Sequence, residues 1–171
     1  MGPTTERGAE LPTYEEYVAE RWSALYRTAY LLTGNHADAE DLAQTALVKA
    51  YLSWSRVAEA ASPDAYVRRI LTNAFISGRR PLRVTRERLV GSVPDVPVAG
   101  ADGETHLVLW PHVAALPPKQ RAVVVLRYYE DLTEQQIADA LGCSPGTVKS
   151  NASLALRSLR ARIAAAEGVR S

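Results

Sequence analysis

Cysteine is almost absent from the 171 residues: Cys143 stands alone, so no internal disulfide can form, and a reducing cytoplasm is the expected compartment. The three histidines, His36, His106 and His112, are scattered, so no Cys/His cluster of the kind zinc requires is present and neither metal nor cofactor is expected. Charge of one sign is lacking too. Twenty Lys and Arg face nineteen Asp and Glu, a net charge of +1, far from the basic balance of an autonomous nucleic-acid binder. Any DNA affinity is therefore local or assisted. No apolar run approaches the roughly 18 to 20 residues that span a bilayer, and residues 1–7 have neither the basic nor the apolar region of a signal peptide. Neither export nor a membrane partner is expected. Catalytic constellations are missing as well: no glycine-rich phosphate loop follows a strand, no Ser/His/Asp set stands out, and consecutive Glu40 and Asp41 point about 100° apart on a helix. No enzyme and no catalytic residue is expected.

What is present is an ordinary globular composition, 47% hydrophobic and 23% charged, in a length that suits one domain or two small ones. Residues 91–105 contain prolines, glycines and three acids but no Lys or Arg, and they show neither a helical nor a strand period. They read as an acidic flexible linker between a block at 13–90 and another at 106–171, with 1–12 a disordered polar tail. In the first block Tyr14, Tyr17, Val18, Trp22, Leu25, Tyr26, Ala29 and Leu32 recur at helical spacing up to Gly34, a left-handed cap. Asn35 then caps a second helix with core positions Ala39, Leu42, Ala43, Ala46, Leu47, Ala50, Tyr51 and Trp54. Ser62-Pro63 opens a third, through Tyr66, Ile70, Leu71 and Ala74 to Gly78. Nothing reads as a strand, so the fold class is all-α, two small helical domains.

In the second block a short helix begins near Leu107, started or kinked by Pro111. Pro117-Pro118 opens another containing Val123, Val124, Leu126, Arg127 and Tyr128. Thr133 with Gln136 forms a capping-box signature ahead of Ile137, Ala138 and Leu141. Gly142-Cys143-Ser144-Pro145 then supplies a left-handed stop followed at once by an N-cap and a first-turn proline. Two helices joined across so short a turn make a helix-turn-helix, whose second helix can enter a major groove.

Three surfaces remain for partners. On the last helix Val148, Ala152, Ala155, Leu159 and Ile163 form the core stripe, which leaves Lys149, Ser150, Ser153, Leu154 and Arg157 outward. That face is either a solvated flank or a DNA face in which Lys149 and Arg157 meet phosphates while Ser150 and Asn151 reach base edges or sugars. The second helix carries Asp41, Gln44, Thr45, Val48 and Leu52 opposite its core stripe, and two apolar side chains one turn apart among polar ones suggest a protein contact. Arg68, Arg69, Arg79, Arg80, Arg83, Arg86 and Arg88 occupy a stretch whose only acid is Glu87, with Phe75 on the side shared by Arg68, Thr72 and Arg79. Such a composition fits a platform for unpaired DNA, while its plainer reading is an arginine-rich helix end.

These segments resemble a known family, the bacterial sigma factors of the extracytoplasmic-function (ECF) group. Asp38-Ala39-Glu40-Asp41-Leu42-Ala43-Gln44 is similar to its D-A-E-D-L-x-Q. Ala65-Tyr66-Val67-Arg68-Arg69-Ile70-Leu71-Thr72-Asn73 is similar to a second motif. Leu116 to Arg121 and Gly146-Thr147-Val148-Lys149-Ser150 complete the set. The resemblance implies a region-2 domain at 13–90 whose Asp38, Asp41, Gln44, Val48 and Leu52 bind the β′ clamp helices of core RNA polymerase. It implies −10 promoter contacts by Arg68, Arg69, Asn73, Arg79 and Arg80, helped by the loop from Ser55 to Asp64. It further implies a region-4 domain at 106–171 that reads the −35 element of promoter DNA through Thr147, Lys149, Ser150, Asn151, Ser153 and Arg157 and meets the β flap. Core polymerase, promoter DNA and an anti-sigma protein are the implied partners, and transcription initiation the implied function. The chain departs from the family where many members carry arginines, at Asn151, Leu154 and Leu156. Exposed Leu154 is expected to pack on thymine methyls or join a partner surface. A self-sufficient helix-turn-helix repressor would explain 106–165 but not Asp38 to Gln44 or the arginine-rich third helix.

Overall fold

A computed structural model of the chain describes residues 10–78 and 103–169 and, of 103–107, the backbone only. Every regular element among them is helical. Helix α1 (Tyr14–Thr33) opens on a capping box, Thr13 with Glu16, and stops at Gly34 with φ +84°, where a side chain would be strained. Helix α2 (His36–Leu52) starts from Asn35, whose Oδ1 accepts the Asp38 amide at 2.9 Å, and a short α3 (Trp54–Glu59) follows. Helix α4 (Pro63–Ile76) is capped by Ser62. The first core forms where α1, α2 and α4 meet, around Tyr26, Leu31, Leu32, Val57, Val67 and Leu71. Fully burying each aliphatic side chain there contributes about 1.5–3 kcal/mol.

Helix α5 (Gly103–Ala114) takes Pro111 in its interior, and it begins inside the stretch that the sequence assigns to the linker. Helix α6 (Pro118–Val124) runs without a break into a π turn at Val125–Tyr129. Helices α7 (Glu134–Leu141) and α8 (Pro145–Gly168) then form the helix-turn-helix. Thr133 and Gln136 make the expected capping box, Gly142 lies at φ +64°, and the Ser144 hydroxyl accepts the Thr147 amide at 3.2 Å. Val148, Ala152, Ala155 and Leu159 are buried, as the stripe on α8 requires.

Two expectations need correction. Tyr51 is 59% exposed instead of lying in the core: it sits in the last turn of α2, at the rim, where its ring meets Tyr14 edge-on at 5.0 Å. The segment before α4 is not simply a loop, because α3 takes up its first part; Trp54 anchors α3 by donating its indole N–H to the Pro12 carbonyl at 3.2 Å.

The two blocks pack against each other. Ala122 and Val125 belong to the same buried cluster as Leu32 and Leu71, and the Trp110 indole covers Gly34, its Nε1 3.6 Å from where a Cβ would stand. Arg121 ties the blocks together from the start of α6. It donates to the carbonyls of Leu32 (2.9 Å), Ala114 (2.5 Å) and Leu116 (3.1 Å), satisfying acceptors at the ends of α1 and α5 that have no intrahelical partner.

Candidate nucleic-acid and partner interfaces

Helix α2 presents one buried face and one open one. Opposite Ala39, Leu42, Ala43, Ala46 and Ala50 lie Asp41, Gln44 and Thr45, half-buried, then Val48 and Leu52, 54% and 79% exposed. Tyr51 adds a third large apolar side chain to this end, and Leu11 is exposed as well. The sequence reading missed Tyr51 as a surface residue because its position fits the core stripe. Asp38 is also structural: its carboxylate accepts the Asn35 amide at 2.7 Å in the first turn, where negative charge complements the helix dipole. Gln44 donates to Glu40 at 3.3 Å.

On α4, Arg69 and Asn73 are exposed and Arg68 is half-buried, while Arg79, Arg80, Arg83, Arg86 and Arg88 lie outside the described residues. Phe75 and Thr72 do not form an open platform. Thr72 is wholly buried, its hydroxyl 3.1 Å from the Ala140 carbonyl of α7, and the Arg121 guanidinium stands over the Phe75 ring at 5.6 Å. The second block covers this side of α4. Beside it opens a cleft of about 120 Å³ lined by Tyr17, Arg21, Thr28, Asp64, Arg68 and Glu130 among others. Arg21 and Asp64 pair there at 3.1 Å. Burial, and next the neighbouring Asp64 carboxylate, push the Tyr17 hydroxyl well above the ordinary phenol range.

Helix α8 leaves Thr147, Lys149, Ser150, Ser153 and Arg157 exposed and Asn151 half-buried. Ser150 donates to the Gly146 carbonyl at 3.1 Å, and the Asn151 amide to Thr147 at 3.0 Å, so each has turned a donor back onto its own helix and keeps its oxygen as an outward acceptor. Lys149 reaches Glu134 of α7 at 3.6 Å, an exposed pair that holds the lysine only weakly. Leu154 is 45% exposed in the middle of this face, whereas Leu156 is half-buried. Among the described residues no group of His, Cys, Asp and Glu is placed to hold a metal, and no helix is long and apolar enough to cross a membrane.

A two-domain helical chain with a capped helix-turn-helix and an apolar-tipped acidic helix is the architecture of a promoter-recognition factor. Comparison with known proteins agrees: residues 18–84 match the family model of sigma-70 region 2, and 113–159 that of sigma-70 region 4. The chain is 41% identical over 155 residues to the RNA polymerase sigma-E factor of Streptomyces avermitilis, covering 88% of this chain and 85% of the relative. It is 34% identical over 158 residues to the ECF RNA polymerase sigma factor SigL of Mycobacterium tuberculosis, covering 86% and 84%. The fold is similar to that of the sigma factor RpoE of Bartonella quintana, solved in complex with the anti-sigma factor NepR, with a TM-score of 0.58 and 21% identity over 86% of this chain and 94% of that one. The chain belongs to the ECF group of the sigma-70 family.

Proposed function

We propose that the exposed stripe of α2 docks on the β′ clamp helices of core RNA polymerase, through Asp41, Gln44, Val48 and Leu52 with Tyr51 beside them. As a sigma factor, the protein directs promoter recognition and transcription initiation, with core RNA polymerase and promoter DNA as its partners. The reading of α2 rests on one observation: a helix buried along one side by alanines and leucines carries three exposed large apolar side chains at its other side and tip. Single exposed aliphatics are commonplace, but a cluster rimmed by Asp41 and Gln44 has the make-up of a protein interface.

The other two surfaces divide the promoter between them. Arg68, Arg69 and Asn73 of α4, with Arg79 and Arg80, meet the −10 element, where guanidinium groups follow the backbone of an unpaired strand. Thr147, Lys149, Ser150, Asn151, Ser153 and Arg157 of α8 meet the −35 duplex, with the cations on phosphates and the hydroxyls at base edges or sugars. Asp38, engaged in capping, supports the α2 face by fixing its first turn. Neither DNA surface is strongly charged, and binding to polymerase joins them into one bivalent reader whose effective concentration replaces intrinsic affinity. The protein itself performs no catalysis in this scheme and works in the cytoplasm. An anti-sigma protein as a further partner is supported by the Bartonella similarity and by exposed Leu154 on the α8 face.

Promoter-dependent transcription by purified core polymerase on a fragment library tests the reading. Initiation from a discrete promoter set is expected to require the protein and to be lost with the Asp41→Lys/Val48→Glu double variant. Specific binding of the protein alone to duplex DNA, without polymerase-dependent activity, would instead make it a repressor.

A further inference from the structure

The face of α4 assigned to the −10 element is already occupied by the protein's own second domain. Thr72 and Phe75 lie under α7 and Arg121, and an Arg69 Nη2 stands 3.7 Å from where a Cβ on Gly142 would be, so the turn between α7 and α8 reaches the exposed flank of the same helix. Arg68 lines the interdomain cleft together with an acid of the second domain, Glu130. That carboxylate is held in place: Thr28, 5% exposed on α1, donates to its Oε1 at 2.8 Å. A hydrogen bond to an ionised acceptor is stronger than a neutral one, and this one spans 102 residues of sequence. Glu130 follows the π turn and precedes Asp131, whose left-handed φ of +52° completes the corner that aims it back at the first domain. Buried Ala122 and Val125 seal the same interface with apolar contact.

We infer that the free protein is self-closed, with Glu130 and α7 occupying the Arg68–Thr72–Phe75 side of α4, so that interdomain packing and promoter-strand binding at that side are mutually exclusive. The inference rests on the reading of α4 as the −10 surface. Negative charge and hydrogen-bond acceptors from Glu130 and the Ala140 carbonyl take the place beside α4 that a DNA strand would otherwise fill. Lys149, Ser150 and Arg157 of α8 stay exposed in the closed form, so closure withholds the −10 surface and leaves the −35 surface open.

The test places dyes on cysteines introduced at exposed Glu20 of α1 and Arg160 of α8, in a full-length chain carrying Cys143→Ala, and reads the distance between them by single-molecule energy transfer. The parent is expected to show one short-distance population in the absence of polymerase. Glu130→Lys removes the Thr28 bond and sets a cation in the cleft beside Arg21 and Arg68, which is expected to raise the ratio of open to closed molecules at least about tenfold. Thr28→Glu added to Glu130→Lys restores an opposite-charge pair across the interface and is expected to return the short-distance population, a rescue that general misfolding would not allow. Circular dichroism confirms that all three chains keep the same helix content. Core polymerase is expected to open the parent. Identical distance distributions for parent and Glu130→Lys, failure of the charge swap to restore closure, or polymerase binding without separation of the dyes would each overturn the inference. Failure to bind polymerase at all would overturn the functional reading instead, and the comparison among free chains still decides closure.

Discussion

Replacing Arg121 by methionine keeps most of the side chain's length and packing while removing its five donors. Three carbonyls lose their partner: Leu32 in the last turn of α1, Ala114 at the end of α5, and Leu116 just beyond it. Each hydrogen bond from a charged donor is worth about 1.5–3 kcal/mol net of water. The total is reduced because the guanidinium is taken partly out of water, which lowers its pKa through desolvation, and because its Nε is buried with no partner among the described residues. Removing several kcal/mol for that dehydration leaves a destabilisation of about 3 kcal/mol. At about 2–4 °C per kcal/mol for a chain of this size, the melting temperature is expected to fall by about 6–12 °C. Lysine at the same position keeps the charge but not the planar fork that spans three acceptors, and is expected to recover no more than about half. Urea and thermal unfolding followed by circular dichroism measure both variants. A methionine variant within about 1 kcal/mol of the parent, or a lysine variant equal to it, would refute the assignment of Arg121 as the joint between the halves.

Alkaline pH is expected to weaken the fold. Tyr17, Tyr26 and Tyr129 all have pKa values raised above 10.0, with burial the largest cause in each. The folded state therefore keeps protons that the unfolded chain releases, so the stability is fully present below about pH 10 and is lost as pH rises beyond it; the urea midpoint should be level from pH 7 to 9 and then fall, with a shallower fall for Tyr17→Phe. Lys149→Ala is expected to lower the slope of log affinity against log salt by about 0.9 for promoter binding by the polymerase complex, and by the same amount on every promoter. A changed order of promoter preference with an unchanged slope would place Lys149 at a base rather than a phosphate.

What could be read from the sequence was local. Gly34, Asn35, Ser62, Thr133, Gly142 and Ser144 act within one helical turn of themselves, so their residue types alone place the ends of α1, α2, α4, α7 and α8. The buried stripe of α8 and the exposed Val48 and Leu52 follow from angular spacing in the same way. Partners distant in sequence were not legible. Thr72 sits at an ordinary mid-helix position, and nothing near it in sequence indicates that Ala140, 68 residues on, approaches its hydroxyl. Tyr51 continues an apolar period past the point where there is core to fill, and a period carries no information about where the neighbouring helix ends. Val125 to Tyr129 could equally have continued α6 as regular helix, so the π turn left no mark in the pattern.

That π turn has a consequence that concerns chain length rather than side-chain chemistry. A π turn contains one residue more than the α turn it replaces, and its extra residue is absorbed without breaking the helix. Deleting a single residue from Val125–Tyr129 would let the helix run on regularly and would rotate everything after it by about 100°. Tyr129 would turn away from Trp110, and Glu130 from Thr28, although no residue at either contact had been substituted. The way the two domains meet is thus set in part by a count: one inserted or deleted codon at this place would do what no single side-chain replacement there can, and re-aim one half of the protein against the other.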